Sequence, residues 1–346
     1  MKKRLINLFF LLLGIVLLWL AFQGQNLSLI IEELQKVDYR WGVLVLLASV
    51  GGHLSRALRW KLLLIPLQKE SKNTTNEVLK PISLWNVWWA MMFGYLVNLG
   101  IPRLGEVSRC VAVQRSEKLH FESVLGTVVA ERAIDLCCLF LLVLFTFFYQ
   151  YEIAATFFRE NIFAPFQQLL GAKKWMLYGL IMLGILGLLV LWLLWKKNWF
   201  ARLRQFITRI LAGLISIYHM PHKWRFLAHT FLIWFSYFLM TYWWFFAIPA
   251  TQHLGFQAGL FLLVVGSIGK SVPIQGGGMG AYHFLVTKGL SLPPFLIAAT
   301  PALTLATVIH LAQTVFYLLV GGIAAIVVLY KNREVMKNNG DSFTFK

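Results

Sequence analysis

Four groups of residues in this sequence have types and spacings that could do chemistry. The first is Glu131, Arg132 and Asp135, in a largely apolar run from Phe121 to Gln150. On a helix Glu131 and Asp135 share a face, and Arg132 can pair with Asp135. Such a cluster either fixes helix packing or walls a substrate or proton path. The second is Arg103, Glu106 and Arg109, just after a Pro/Gly break. Two guanidiniums can hold a phosphate while the carboxylate fixes one of them. The plainer reading is an interfacial helix anchored to anionic headgroups. The third is Gly276, Gly277, Gly278 and Gly280, followed by His283. Backbone N–H groups of such a turn can face an anion. His310 lies further on, and both histidines titrate near neutral pH when unperturbed, which suits a proton response. A lone His on an apolar helix is otherwise a packing residue. The fourth is His53, Arg56 and Arg59, on one side of an apolar segment. His53 and Arg56 fall deeper, and Arg59 with Lys61 is placed to snorkel to the interface.

Other constellations are decoys. Gly269-Lys270-Ser271 lacks the glycine of a phosphate-binding loop, since Val264 stands five residues before Gly269. Cys110, Cys137 and Cys138 give neither a disulfide framework nor metal spacing. No Ser/His/Asp arrangement and no metal-binding histidine pair is readable, so no cofactor is expected.

The elements that must position these groups are membrane helices. Of the 346 residues 59% are apolar and only 13% charged, against about 25% in soluble domains. The net charge of +18 does not indicate nucleic acid, because the charges lie between apolar runs and not on a polar domain. Apolar segments fall at about 5–22, 41–66, 83–101, 121–150, 173–195, 226–250, 257–272 and 294–330. The first follows Met1-Lys2-Lys3-Arg4 and reads as an uncleaved span. Residues 199–222 read as a basic amphipathic helix in the headgroup plane.

Charge bias selects the topology. With eight crossings the Lys and Arg are spread evenly, 14 inside and 13 outside. If 83–118 and 257–290 instead enter and leave on one side, 22 lie inside and 5 outside, as the positive-inside rule requires. The expected fold is an all-α polytopic membrane protein of about six full spans plus two re-entrant helical hairpins, with both termini cytoplasmic. Each hairpin is broken by Pro and Gly, at 98–106 and 271–280, which end helices. Asp135 lies 30 residues after Gly105, and His310 lies 30 after Gly280. The halves 83–150 and 257–330 then form an inverted repeat inside one membrane domain, 1–346. Paired broken segments of this kind point to a transporter site at the midplane.

The motifs Pro102-Arg103-Leu104-Gly105-Glu106-x-x-Arg109 and Gly126-Thr127-Val128-Val129-Ala130-Glu131-Arg132-x-x-Asp135 resemble the flippase-like membrane domain of the lysylphosphatidylglycerol synthase family. Pro273-x-x-Gly276-Gly277-x-x-Gly280 is similar to that family's Pro/Gly-rich motif. The resemblance implies an inner-membrane protein with two re-entrant segments that moves lipids between leaflets. It does not imply synthase activity, because the chain ends about 16 residues after the last span and the aminoacyl-transferase domain of the full-length synthases is not expected. His283 stands where many relatives are acidic, and His310 where many carry a Tyr-Arg-like element. The expected function is a non-enzymatic flippase for a lipid with an anionic or phosphate-containing head, whose partners are membrane lipids of anionic or polyprenyl-phosphate type. The rivals are a membrane-embedded enzyme on a lipid-linked substrate, using Glu131, Asp135 or Glu106 as acid and base, and a non-catalytic scaffold docking through 199–222.

Overall fold

The computed structural model describes residues 27–74, 81–159 and 220–338, with isolated positions between 15 and 19 and between 179 and 185. The expected first span, the segment 173–195 and the amphipathic helix 199–222 lie largely outside the described residues. Among the described residues every regular element is helical. In chain order these are α1 (Leu27–Gln35), α2 (Trp41–Thr74), α3 (Leu84–Gly100), α4 (Leu104–Glu117), α5 (Phe121–Tyr149), α6 (Tyr151–Phe158) and α7 (Lys223–Tyr242). After the 3-10 turns Trp243–Ala247 and Pro249–Thr251 come α8 (Phe256–Ser271), α9 (Ala281–Ser291) and α10 (Ala299–Asn338).

Among the described residues three stretches are long and apolar enough to cross a membrane: Trp41–Gln68, Lys223–Ala247 and Ala299–Lys331, with 28, 25 and 33 residues. At 1.5 Å per residue each exceeds the ~30 Å hydrocarbon layer. On α10 the exposed side chains among the described residues are apolar, including Leu311, Leu318, Leu319, Ile323 and Ile326. Such a face is stable where lipid tails cover it. The molecule is therefore a helical membrane protein.

Contacts divide the chain into two compact units. One comprises Met1–Arg132, His222–Ser291 and Phe295–Lys346; the other comprises Ala133–Pro221 and Leu292–Pro294. The second contains α6 and the later turns of α5, whose side chains at Phe140, Phe145, Phe148 and Tyr151 are apolar and exposed. The site described below lies in the first.

Two helical hairpins organise the first unit. In the first, α3 runs into Ile101-Pro102-Arg103 and α4 runs back. Ile101 is extended (φ −129°, ψ 107°), because the ring of a following proline excludes the helical region. Arg103 then turns the chain in the left-handed region, φ 67°. The arms touch without side chains where Gly94 meets Gly105. A Cβ on Gly105 would fall on the Gly94 carbonyl oxygen and 2.6 Å from Asn98 Cγ. The open end is tied by Glu117, which accepts from the Ser83 N–H at 3.2 Å and from Asn86 Nδ2 at 2.7 Å.

The second hairpin follows the same logic. Val272 is extended before Pro273 (φ −65°, ψ 127°). The turn Gln275–Gly278 and its sequel then hold Gly276, Gly277, Gly278 and Gly280 at positive φ between 69° and 88°. Residues with a Cβ rarely adopt that region. α9 returns along α8, so that the Phe261 ring fills the space above Gly289 at the open end.

α10 relates the hairpins. Its far end meets the open end of the first, where Lys331 donates to Asn86 at 2.6 Å. Its start meets the open end of the second, where Ile297 donates to Leu290 at 2.9 Å. Midway, the tips approach each other: a Cβ on Gly277 would lie 3.9 Å from Leu99 and 4.0 Å from His310 Nε2. The two hairpins thus point at one another from opposite ends of one long helix. The shared core beneath the first packs Trp60, Leu64, Met91, Met92 and Val113.

The Gly94–Gly105 approach gives a stability test. Gly105→Leu is expected to destabilise by about 1–3 kcal/mol or more through overpacking. Gly126→Ala, where nothing lies within 4 Å, is expected to melt like the wild type in detergent. Equal melting of the two variants would contradict this packing.

Candidate functional site

Glu131 is the centre of the site. It is fully buried, the eleventh residue of α5, and three guanidiniums converge on it. Arg56 Nε donates to Oε1 at 2.9 Å, and Arg59 lies 3.6 Å from the same oxygen. Arg109 Nη1 is 3.1 Å from Oε2. These residues come from α2, α4 and α5, so one carboxylate joins three helices. α7 completes the cage: Arg56 also donates to the Tyr237 hydroxyl, and Arg59 to Thr230 Oγ1 at 3.3 Å.

The balance of charge in this cage is unusual. Each ion withdrawn from water costs several kcal/mol, and a single carboxylate shares its charge among three cations. Ring faces supply part of the remainder. Arg109 lies 4.5 Å over the Trp60 ring, and Arg59 5.6 Å from that of Phe226. Trp60 is itself held by donation to Thr127 at 3.0 Å. Arg109 is the least satisfied member. It is 3% exposed, its contact with Glu131 falls outside hydrogen-bond angles, and its Nε and Nη2 have no protein acceptor among the described residues. Buried polar groups of this kind are uncommon.

The other residues expected at the site are placed as follows. Arg132, on α5, reaches Glu106 on α4 at 3.1 Å, a partner that the sequence did not suggest. Glu106 in turn accepts from Asn98 Nδ2 at 3.2 Å, and Asn98 Oδ1 accepts the Gly105 N–H at 2.7 Å. Glu106 therefore braces the first hairpin tip and Arg132, not Arg109. This pair is partly solvated, with 42% and 23% of its side chains exposed. Arg103 is exposed at the tip, and Asp135 is partly exposed, one turn further along α5 in the second unit. Arg59, expected at the interface, is instead wholly buried, because Glu131 gives it a counter-ion at depth. His53 is buried among rings, 5.0 Å from Tyr95, 5.4 Å from Phe316 and 5.5 Å from Tyr317. Neither of its nitrogens has a hydrogen-bond partner among the described residues, as suits a packed imidazole.

The second hairpin brings together His283 and His310, whose rings lie 5.0 Å apart. Gly280 donates to His283 Nδ1 at 3.5 Å. Gly276 and Gly277 lie on the turn beside His310. Sequence reasoning missed Lys270 here. Its ammonium donates to Gln313 and lies 4.5 Å from the Tyr282 ring centroid. No group of three His, Cys, Asp or Glu among the described residues could hold a metal ion.

The cage and the outer pair differ enough to test. Glu131→Ala leaves buried guanidiniums without their shared counter-ion and is expected to cost about 3–5 kcal/mol. Arg132→Ala removes a partly exposed pair, worth about 0–1 kcal/mol. Thermal unfolding of the two variants in one detergent should separate them clearly; similar losses would contradict the central role of Glu131.

No curated protein matches this chain, and no solved structure does. Residues 7–321 match the family described as the lysylphosphatidylglycerol synthase TM region. The match covers both hairpins, the arginine cage and most of α10. The chain belongs to that family of lipid-related membrane proteins.

Proposed function

We propose that this chain is a flippase that moves a lipid with an anionic or phosphate-containing headgroup between the leaflets of the inner, cytoplasmic membrane. The observation that carries the proposal is Arg109. A guanidinium that is 97% inaccessible, shares its one carboxylate with two other arginines and keeps two nitrogens without acceptors among the described residues suits an arriving phosphate. A guanidinium can meet phosphate oxygens with two parallel bonds. The family name supports the same chemistry, since lysylphosphatidylglycerol carries a phosphate in its head.

On this reading the hairpins are re-entrant. Their arms of 17, 14, 16 and 11 residues reach only ~17–26 Å, short of the ~30 Å layer. The chain crosses the membrane six times, both termini are cytoplasmic, and the hairpins enter from opposite sides. Arg103 meets the headgroup at the first tip, Glu131 holds Arg56, Arg59 and Arg109 ready, and Arg132 with Glu106 lines the approach. The acyl tails stay in lipid. His283 and His310 respond to protons during the cycle.

Two measurements test this. Arg115→Cys and Leu296→Cys, on a background lacking Cys110, Cys137 and Cys138, report the open ends of the two hairpins. They are expected to react with an impermeant thiol reagent from opposite faces of oriented vesicles; reaction from one face contradicts the topology. In phosphatidylcholine vesicles holding a trace of fluorescent phosphatidylglycerol or a polyprenyl phosphate, the wild type is expected to move at least one of them across. Arg109→Leu is expected to slow that movement at least about tenfold, the worth of one charge-assisted hydrogen bond. No movement by the wild type, or an unchanged rate in the variant, contradicts the proposal.

A further inference from the structure

Lys270 ends the first arm of the second hairpin, and its surroundings lack the group that a cation at membrane depth requires. From residue 161 to residue 333 the sequence contains no Asp or Glu. The hairpin and the stretch of α10 packed on it therefore contain no carboxylate. Among the described residues none reaches it from the first half of the chain either: the ammonium's direct partners are the Gln313 side-chain oxygen and the Tyr282 ring. An amide dipole and a ring face both attract a cation, but neither neutralises it. The contrast with the first hairpin is direct, since its buried arginines share Glu131.

Among the described residues the rest of the neighbourhood also lacks negative charge. His310 lies one turn before Gln313 on α10, and His283 is 5.0 Å from it. The Gly276–Gly280 backbone, at positive φ throughout its glycines, passes beside His310 and the Leu99 end of α3. Lys288, in the other arm of the same hairpin, is exposed. One lysine of the hairpin is thus exposed, and the other reaches Gln313 on α10 and the Tyr282 ring. An intramembrane cation without a protein counter-ion marks a ligand path.

We infer that Lys270, with Gln313 and His310 beside it, is a second anion-binding station, which takes the phosphate of the same lipid headgroup at the tip of the second hairpin. The inference rests on the transport reading of the Arg109 cage and extends it. A headgroup released from Glu131's arginines finds its next positive charge across the junction of the tips, contributed by the opposite hairpin.

The test is thermal melting of the full chain in detergent, with added phosphatidylglycerol or phosphatidylcholine. The wild type is expected to gain about 3 °C or more from phosphatidylglycerol relative to phosphatidylcholine, because a ligand of the folded state raises the midpoint. Lys270→Met is expected to melt at or above the wild type in phosphatidylcholine and to lose at least half of that gain. Lys270→Gln repeats the measurement should the first variant not purify, and Lys288→Met is expected to keep the full gain. No gain in the wild type, or a full gain in both Lys270 variants, overturns the station. A gain abolished by Arg109→Leu but intact in the Lys270 variants overturns it while sparing the first cage; a gain lost in the Lys270 variants but intact in Arg109→Leu supports the station and counts against the cage. Inorganic phosphate alone is expected to give no gain, and a gain equal to the lipid's overturns the assignment to a lipid headgroup.

Discussion

The carboxylate of Glu131 is the constraint on which the rest of the first unit depends. Placing it at depth in α5 obliges cations to come to it, and they come from α2 and α4. Those cations in turn need acceptors and rings, which fixes Tyr237 and Thr230 on α7 and Trp60 on α2. Four helices are therefore held by one buried polar network. Such a network is expensive unless its members are satisfied, and here the satisfaction is incomplete at Arg109. A purely structural cluster would gain from one fewer arginine; a site that receives an anion needs the surplus.

The hairpins show how a membrane protein brings irregular backbone to such a place. Non-helical chain in the hydrocarbon layer survives only when protein or water covers it. The two tips meet each other and α10 at Gly277, Leu99 and His310, while Ile101 and Arg103 stay exposed. The local devices differ. The first turn uses one proline, one left-handed arginine and an Asn98 bridge; the second uses a proline and a run of glycines. The consequences differ too. The first tip carries both signs of charge and braces itself, while the second carries only positive and neutral groups.

Much of this was legible in the residues themselves. Phe121–Tyr149 and Phe256–Ser271 follow the expected segments within a residue at each end, because apolar length and Pro or Gly stops are local signals. The two breaks were visible for the same reason. The partners of Glu131 were not. Arg56 is 75 residues away in sequence, and Tyr237 lies 181 from Arg56; no spacing rule links them. The bond of Arg132 to Glu106 reflects the fold of α4 against α5, which no spacing rule inside one helix anticipates. Arg59 looked superficial because its depth was counted from the end of its own segment, without the buried acid that stabilises it. Lys270 did leave a trace, the absence of any acid from 161 to 333, which a count of positive charges alone passes over.

The central claim is that buried cationic donors of this chain hold an anionic lipid head. Native mass spectrometry measures that most directly. The purified protein is offered phosphatidylglycerol and phosphatidylcholine of equal chain length in equal amounts, and the lipid retained on the folded chain is weighed. The account predicts preferential retention of phosphatidylglycerol, lost when Arg109 and Lys270 are replaced together by apolar residues. Equal retention of the two lipids by the wild type, or a preference untouched by the double replacement, would contradict it.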